Sequence, residues 1–382
     1  MPDREAVCSH VAAALREAAQ STSSLTALVG FDGFIDEICA VVETRDSARD
    51  YEPVPTIARL GEKIAAAAGR SSNYEIVVKQ SKIGGNGPIM ANALARFGLD
   101  LTYVGNLGYP DVDPVFSEFA RAADVRSVAA PSHTDALEFG DGKLMLGKLE
   151  PLADVTWENI VARLGPETFE RLLGRSRLVA MVNWTMIPQM SRIWAKLLGD
   201  VFPNLPEWKN AKPDAPRRHI FVDLADPEKR TRDDMLYALK LVGRMQDFAD
   251  VTLGLNFKEA EQVSAVLGLP VVTDTDQSHT VAAGIREQLG VACCVVHPRH
   301  HASAATADET ARFDGPFVAE PKISTGAGDH FNAGFMLGRL LSLDLAGCLC
   351  CGVATSGHYV RTGDSPRLNT LADFIANLPA AE

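Results

Sequence analysis

The segment most able to do chemistry is Lys322-Ile-Ser-Thr-Gly-Ala-Gly-Asp-His-Phe-Asn-Ala-Gly-Phe335. Gly326, Ala327 and Gly328 precede a helical pattern. Small residues there leave the first helical N–H groups uncovered, and those groups with the helix dipole attract an anion. Asp329 follows at the helix start. A carboxylate beside an anion site is electrostatically unfavourable unless it moves a proton, and next to a phosphate it suits a base that activates a hydroxyl. Taken alone, the segment equally suits a glycine turn with Asp329 as helix cap.

Two further segments carry candidates. Gly84-Gly-Asn-Gly-Pro-Ile-Met-Ala-Asn-Ala-Leu-Ala-Arg-Phe-Gly98 is a glycine-rich turn feeding an amphipathic helix. It matches neither GxGxxG nor GxxxxGK[ST]. Gly84 and Gly85 allow close approach of backbone to a ligand, and the Asn86 amide both donates and accepts. Val29-Gly-Phe-Asp-Gly-Phe-Ile-Asp36 sets two carboxylates, Asp32 and Asp36, after an apolar run. Ligands bind at the carboxyl ends of such strands, and carboxylates suit polyol hydroxyls.

The elements that must position these residues are legible in outline. Apolar runs at Leu25–Phe31, Leu101–Val104, Leu178–Val182, His219–Val222, Val251–Leu255 and Val291–Val296 read as buried strands. Helical spacing fills the intervals, at Met90–Phe97, Ile187–Leu198, Arg232–Met245 and Val281–Leu289. The alternation implies an α/β fold with a doubly wound, mostly parallel sheet covered on both faces. The chain ends in helical patterns at Phe331–Leu341, Leu345–Arg361 and Leu371–Leu378, with Asp344 and Gly363 as cap and stop. Two stretches break the rhythm. Residues 125–148 suggest short strands with a turn at Gly140-Asp141-Gly142, and residues 39–82 suggest polar turns around one helix. Together they are read as a small β lid on a single domain spanning 1–382. Residues 203–218 read as a surface excursion.

Composition excludes several classes. A formal net charge of -12 over 382 residues disfavours nucleic acid and anionic membranes as partners. The first 20 residues lack the apolar core of a signal peptide. Seven cysteines without zinc-finger spacing suit reduced thiols in a cytoplasmic protein.

In order and spacing these segments resemble the ribokinase-like (PfkB) carbohydrate kinase family. Gly84–Gly98 resembles its first signature and Ser324–Gly334 its second. Asn256-Phe-Lys-Glu259 resembles its NxxE motif, Phe221–Asp226 its "DxN" strand end, and Val353–Gly363 its adenine-side helix. The resemblance covers about residues 25 to 378. It implies a ribokinase-like fold with a β lid, and ATP-dependent phosphorylation of a hydroxymethyl group on a sugar or related polyol. Asp329 then matches the general base, with Gly326, Ala327 and Gly328 as the anion hole. Asn256 and Glu259 match the motif supporting Mg²⁺ and phosphate, Glu259 acting on the metal indirectly. Asp36, Gly84, Gly85 and Asn86 match the substrate contacts, with Asp32 a rival for Asp36. Asn332, Ala354 and Gly357 would lie near the nucleotide, and Arg299 would pair with its phosphates. A homodimer through the lid is implied as well.

Three departures qualify this expectation. Ile323-Ser324 stands where the family has Asp-Thr, which puts monovalent-cation activation in doubt. Ile89 replaces an expected Asn. Val296-His-Pro-Arg-His-His-Ala302 replaces the family's "TLGxxG". Two other readings stay open at this point: a nucleoside or hydroxymethyl-heterocycle kinase, and a non-catalytic sugar- or nucleotide-binding regulatory relative. Asn183-Trp-Thr-Met186, after a strand, could face a substrate, with Trp184 equally suited to the core.

Overall fold

The computed structural model describes residues 3–209 and 217–380. Of the expected excursion at 203–218, residues 210–216 lie outside the described residues, and its first part holds short helical turns at Phe202–Asn204 and Pro206–Lys209. The strands in chain order are β1 (Thr26–Phe31), β2 (Phe34–Arg45), β3 (Tyr51–Pro53), β4 (Ile76–Gly84), β5 (Asp100–Gly105), β6 (Asp124–Ser127) and β7 (Ser132–Phe139). They continue as β8 (Gly142–Lys148), β9 (Leu178–Met181), β10 (His219–Asp223), β11 (Asp250–Leu255), β12 (Cys293–Val296), β13 (His301–Ala305) and β14 (Thr310–Asp314).

Nine of these form one sheet, in the order β14-β13-β12-β11-β10-β9-β1-β5-β6. The strands from β12 to β6 run parallel, and β13 and β14 are antiparallel additions at one edge. The expected α/β architecture is therefore present. β9, β10 and β12 are buried along their whole length, which is why they read as continuous apolar runs. Successive side chains go to opposite faces: Cys293 and Val295 join one core, Cys294 and Val296 the other. All seven thiols are free and buried, so they pack as small hydrophobes.

The helices Ala327–Leu340 and Leu345–Thr362 pack tightly on one face. A Cβ at Gly334 would lie 2.4 Å from the Cys351 carbonyl oxygen, so only glycine permits this approach. That contact fixes the axis of the helix that begins at Gly326, and hence the direction of its N-terminus.

A second sheet holds five strands, β3, β2, β7 and β8 along one path with β4 also paired to β2. One face is covered by the helix Ile57–Ala66 over Cys39, Val41, Val54 and Leu137. The other face turns toward the carboxyl edge of the large sheet. The bounds differ from the sequence reading. The small sheet starts at Phe34, not residue 39, and resumes at Ser132. Residues 125–127 belong to β6, at the edge of the large sheet, because Tyr103, Val104 and Gly105 supply their pairing.

Candidate active site

Every parallel strand near the centre delivers a polar group at its carboxyl end: Asp32 after β1, Asn183 after β9, Asp223 in β10, Asn256 after β11 and His297 after β12. The helix Ala327–Leu340 aims its N-terminus at the same edge. Gly326 caps it with φ +89°, a left-handed conformation that suits glycine. His330 secures this start. Its Nδ1 donates to the Gly326 carbonyl at 2.7 Å, its Nε2 accepts from Ser365 Oγ at 2.8 Å, and its ring stacks on Tyr359.

Asp329 lies in the first turn and is 7% exposed. Asn86 Nδ2 donates to its Oδ1 at 2.9 Å, so the turn at Gly84–Asn86 and the helix start meet at one atom pair. Burial raises its pKa to about 8; the Asn86 bond opposes this, while Asp32 and Glu259 add to it. A carboxylate poised near neutral pH is what general-base chemistry requires.

The two rival aspartates have different surroundings. Asp32 is fully buried and accepts from the backbone N–H of Asn86 at 3.0 Å, the backbone N–H of Gly87 at 2.8 Å and the Asn183 amide at 2.8 Å. Burial lifts its pKa to about 6 against the pull of those donors. Asp36, in β2, lines a cavity of about 1030 Å³ together with Lys82, Lys143, Gln80, Asn92 and Glu138. Burial raises its pKa, with Lys82 and then a hydrogen bond from Thr134 opposing. Gly84 lies against it: a Cβ there would fall 2.4 Å from the Asp36 carboxyl. Gly85 is the cap of the helix Asn86–Arg96.

A second cavity, of about 650 Å³, lies on the other side of the Gly326 helix start. Asn256, Lys258, His297, Arg299, Ala327, Gly328, Phe331, Ser356 and Gly357 line it. Asn256 and Glu259 form a capping box: Asn256 Oδ1 accepts from Glu259 N at 3.0 Å, and Glu259 Oε2 from Asn256 N at 2.8 Å. Glu259 Oε1 also accepts from Asp226 N at 3.0 Å.

Two expected nucleotide contacts are placed elsewhere. Ala354 is fully buried in the core, because the cavity face of its helix is Val353, Ser356, Gly357 and Val360, one helical stripe that excludes it. Asn332 is also buried, and its Nδ2 donates to Asp223 Oδ2 at 3.0 Å, so it orients Asp223 instead of lining the cavity. Ile323 lines the 1030 Å³ cavity. Trp184 is core.

Sequence reasoning gave no role to Asp223, Lys82 or Lys143, and treated Asn183 and His297 only in passing. Position at a strand's carboxyl end could have flagged Asn183, Asp223 and His297. Lys82 and Lys143 carried no signal. Burial holds His297 neutral, with a pKa of about 4, against the Phe331 ring. No three His, Cys, Asp or Glu residues among those described are grouped as a metal site.

A family model for prokaryotic ketohexokinase matches residues 2–378. Ketohexokinase of Haloferax volcanii is 31% identical over 351 residues, 91% of this chain and 90% of that protein. A carbohydrate kinase from Agrobacterium tumefaciens shares the fold with a TM-score of 0.63 at 17% identity, covering 94% of this chain and 99% of that one. The structure of Arabidopsis thaliana ribokinase complexed with ribose and ATP gives 0.62 at 17%, covering 92% and 98%. No helix among the described residues is long and apolar enough to cross a membrane. The family match over nearly the whole length, on a fold whose two cavities share Pro321 and Ser324 beside the Gly326 helix start, places the chain in the prokaryotic ketohexokinase family of ribokinase-like carbohydrate kinases, and it is a sugar kinase.

Proposed function

We propose that the protein transfers the γ-phosphoryl group of ATP to a primary hydroxyl of a ketohexose, with Asp329 as general base. The carrying observation is the seam between the cavities. Pro321 and Ser324 line both, and the Gly326 helix start lies between them, with Ala327 and Gly328 lining the smaller cavity and Thr325 and His330 the larger. The 650 Å³ cavity takes the nucleotide and the 1030 Å³ cavity the sugar. The name of the Haloferax relative supports a ketohexose over a nucleoside, and a buried base argues against a purely regulatory protein.

The step follows from the geometry. The sugar hydroxyl gives its proton to Asp329 as its oxygen bonds to phosphorus. The bond from phosphorus to the β–γ bridging oxygen breaks, and ADP leaves. The N–H groups at Gly326 and Gly328 donate to the transferring group, that of Ala327 joining them if it leaves the Ser324 carbonyl at 3.3 Å, and the charge is then spread on oxygens facing a helix N-terminus. Arg299 supplies a cation on the nucleotide side.

Magnesium fits the residues present. Asp223 Oδ1 is buried without a hydrogen-bond partner, and Glu259 nearby presents an oriented carboxylate. No all-protein cage exists among the described residues, which suits an ion shared with water and phosphates. Asp223 and Glu259 would hold it, Glu259 through water, and it would supply charge neutralisation of the phosphates. Ile323 offers no side-chain ligand for a monovalent cation.

The test is an ADP-release assay over ketohexoses, aldoses, polyols and nucleosides, with product mass confirming the phosphorylated sugar. Turnover of nucleosides but no ketohexose would sink this reading. Asp36 is assigned to acceptor hydroxyls, since it lines the cavity whereas Asp32 is fully buried and engaged by three protein donors. Asp36→Asn should raise the sugar KM about tenfold to 100-fold, on the order of 1–3 kcal/mol, while the nucleotide KM stays put. An unchanged sugar KM would exclude that contact.

We also infer a homodimer through the small sheet. Ile76, Val78 and Leu146 are 43–48% exposed on its strands, apolar residues that a second copy would cover. Light scattering should give twice 41.1 kDa, and Val78→Glu should give 41.1 kDa; a monomeric wild type would exclude the dimer.

A further inference from the structure

The sugar kinase chemistry leaves one charged group unassigned at the point where the two cavities meet. Lys143 stands near the start of β8, the edge strand of the small sheet. Its ammonium reaches across to the loop that precedes the anion-binding helix. There Nζ donates to Thr325 Oγ1 and lies 3.5 Å from Ser324 Oγ. Ser324 lines both cavities, and Thr325 immediately precedes Gly326. The Thr325 carbonyl is held in turn by Tyr359 Oη at 3.0 Å, so the loop receiving the lysine is itself anchored.

The charge around this point explains what a cation would do. Asp329, Asp32, Glu259 and Asp36 are buried carboxylates around the path of a phosphoryl group that is itself anionic. Other lysines nearby are committed elsewhere. Lys258 Nζ pairs with Glu228 at 2.7 Å, and Lys322 Nζ donates to the Thr362 carbonyl at 2.7 Å. Lys82 lines the sugar cavity beside Asp36, its partner across β2 and β4. An ammonium has three donors. The two loop hydroxyls engage two of them, which leaves a third.

We propose that Lys143 is a further catalytic residue, a cation carried by the small sheet whose free N–H donates to an oxygen of the transferring phosphoryl group. No bond to the lysine forms or breaks; it neutralises charge while phosphorus passes from the nucleotide oxygen to the sugar oxygen. Because the lysine is fixed to the small sheet, the charge arrives only when that sheet stands over the cleft. Sugar held against Asp36 of the same sheet would favour that position, so sugar speeds transfer, while the smaller population of the same arrangement without sugar supports the slow transfer to water.

This inference rests on the proposed function, and its test separates the two. Wild type, Lys143→Met, Lys143→Arg and the control Lys148→Met would be compared by ADP release with the best sugar and with water alone as acceptor. Lys148 is on the same strand but pairs with Asp135 at 2.7 Å, away from the loop. Lys143→Met should lower kcat with sugar on the order of 100-fold, with nucleotide and sugar KM within a few-fold. Lys143→Arg should recover part of the loss, and Lys148→Met should match wild type. The slow hydrolysis of ATP should fall in Lys143→Met as well. A kcat for Lys143→Met within about threefold of wild type overturns the proposal, as does a loss confined to sugar KM or shared by Lys148→Met. If no sugar is turned over, the kinase assignment fails, and the hydrolysis arm alone then decides for or against Lys143.

Discussion

Asp329→Asn is expected to lower kcat by about 10³–10⁴-fold while leaving the affinity for ATP nearly unchanged. Asparagine preserves shape and can still meet Asn86, so the cavities persist, but it cannot take the hydroxyl proton. The pH dependence gives an independent check. With the folded pKa at about 8, the free enzyme's kcat/KM should rise with pH and level off above about 8. Residual activity of the variant should lack that limb. Stability moves oppositely. A carboxyl whose folded pKa is raised from 3.8 to about 8 favours the folded state below 3.8, and that contribution is lost as pH rises through 8. Asparagine carries no such loss. The melting temperature of the variant relative to wild type should therefore increase between pH 4 and pH 8. Retained turnover would reject the base, and a pH-independent difference in melting temperature would reject the raised pKa.

The same site shows why some parts were legible in the sequence and others were not. The large sheet announced itself because its strands are buried on both faces, so burial is written as unbroken apolar runs. Helix Arg232–Met245 coincides with its expected span for a related reason: Thr231 caps it and a regular apolar stripe faces the core. The small sheet hid its strands. Ile76–Gly84 reads I-V-V-K-Q-S-K-I-G, and most of it is exposed. One face of β2 and β4 borders the cleft, so polar residues needed there for a sugar interrupt the apolar alternation. Asn256 and Glu259 were picked out through their resemblance to a family motif, and the structure shows the fixed spacing of that motif to be a capping box. Lys143 was not, because its meeting with Thr325 spans 182 residues of chain and exists only once two sheets face each other. Ala354 and Asn332 were misplaced for a simpler reason: a motif gives the helix but not which of its faces turns to the ligand.

Asp32 is where local chemistry and global placement join, and its removal should be the most damaging single change to the site's frame. Asp32→Ala strands three donors in the interior: the N–H groups of Asn86 and Gly87, and the Asn183 amide. Each buried unmatched donor costs about 1–3 kcal/mol, so a loss of several kcal/mol of stability is expected, measured by denaturant unfolding. Activity should fall by more than stability explains. Asn86 is both the residue Asp32 grips by its backbone and the residue that orients Asp329 through its side chain, so freeing the turn frees the base. Asp32→Asn makes the argument sharper. Its single amide oxygen cannot satisfy donors that approach both carboxylate oxygens, and its NH₂ would face at least one N–H. Asp32→Asn should therefore be destabilised as well, although it differs from the native side chain by one atom, whereas Asp36→Asn should unfold nearly as the wild type does. Equal stability of the two asparagine variants would mean that Asp32 does not hold the turn, and that the division between a framework aspartate and a substrate aspartate is wrong.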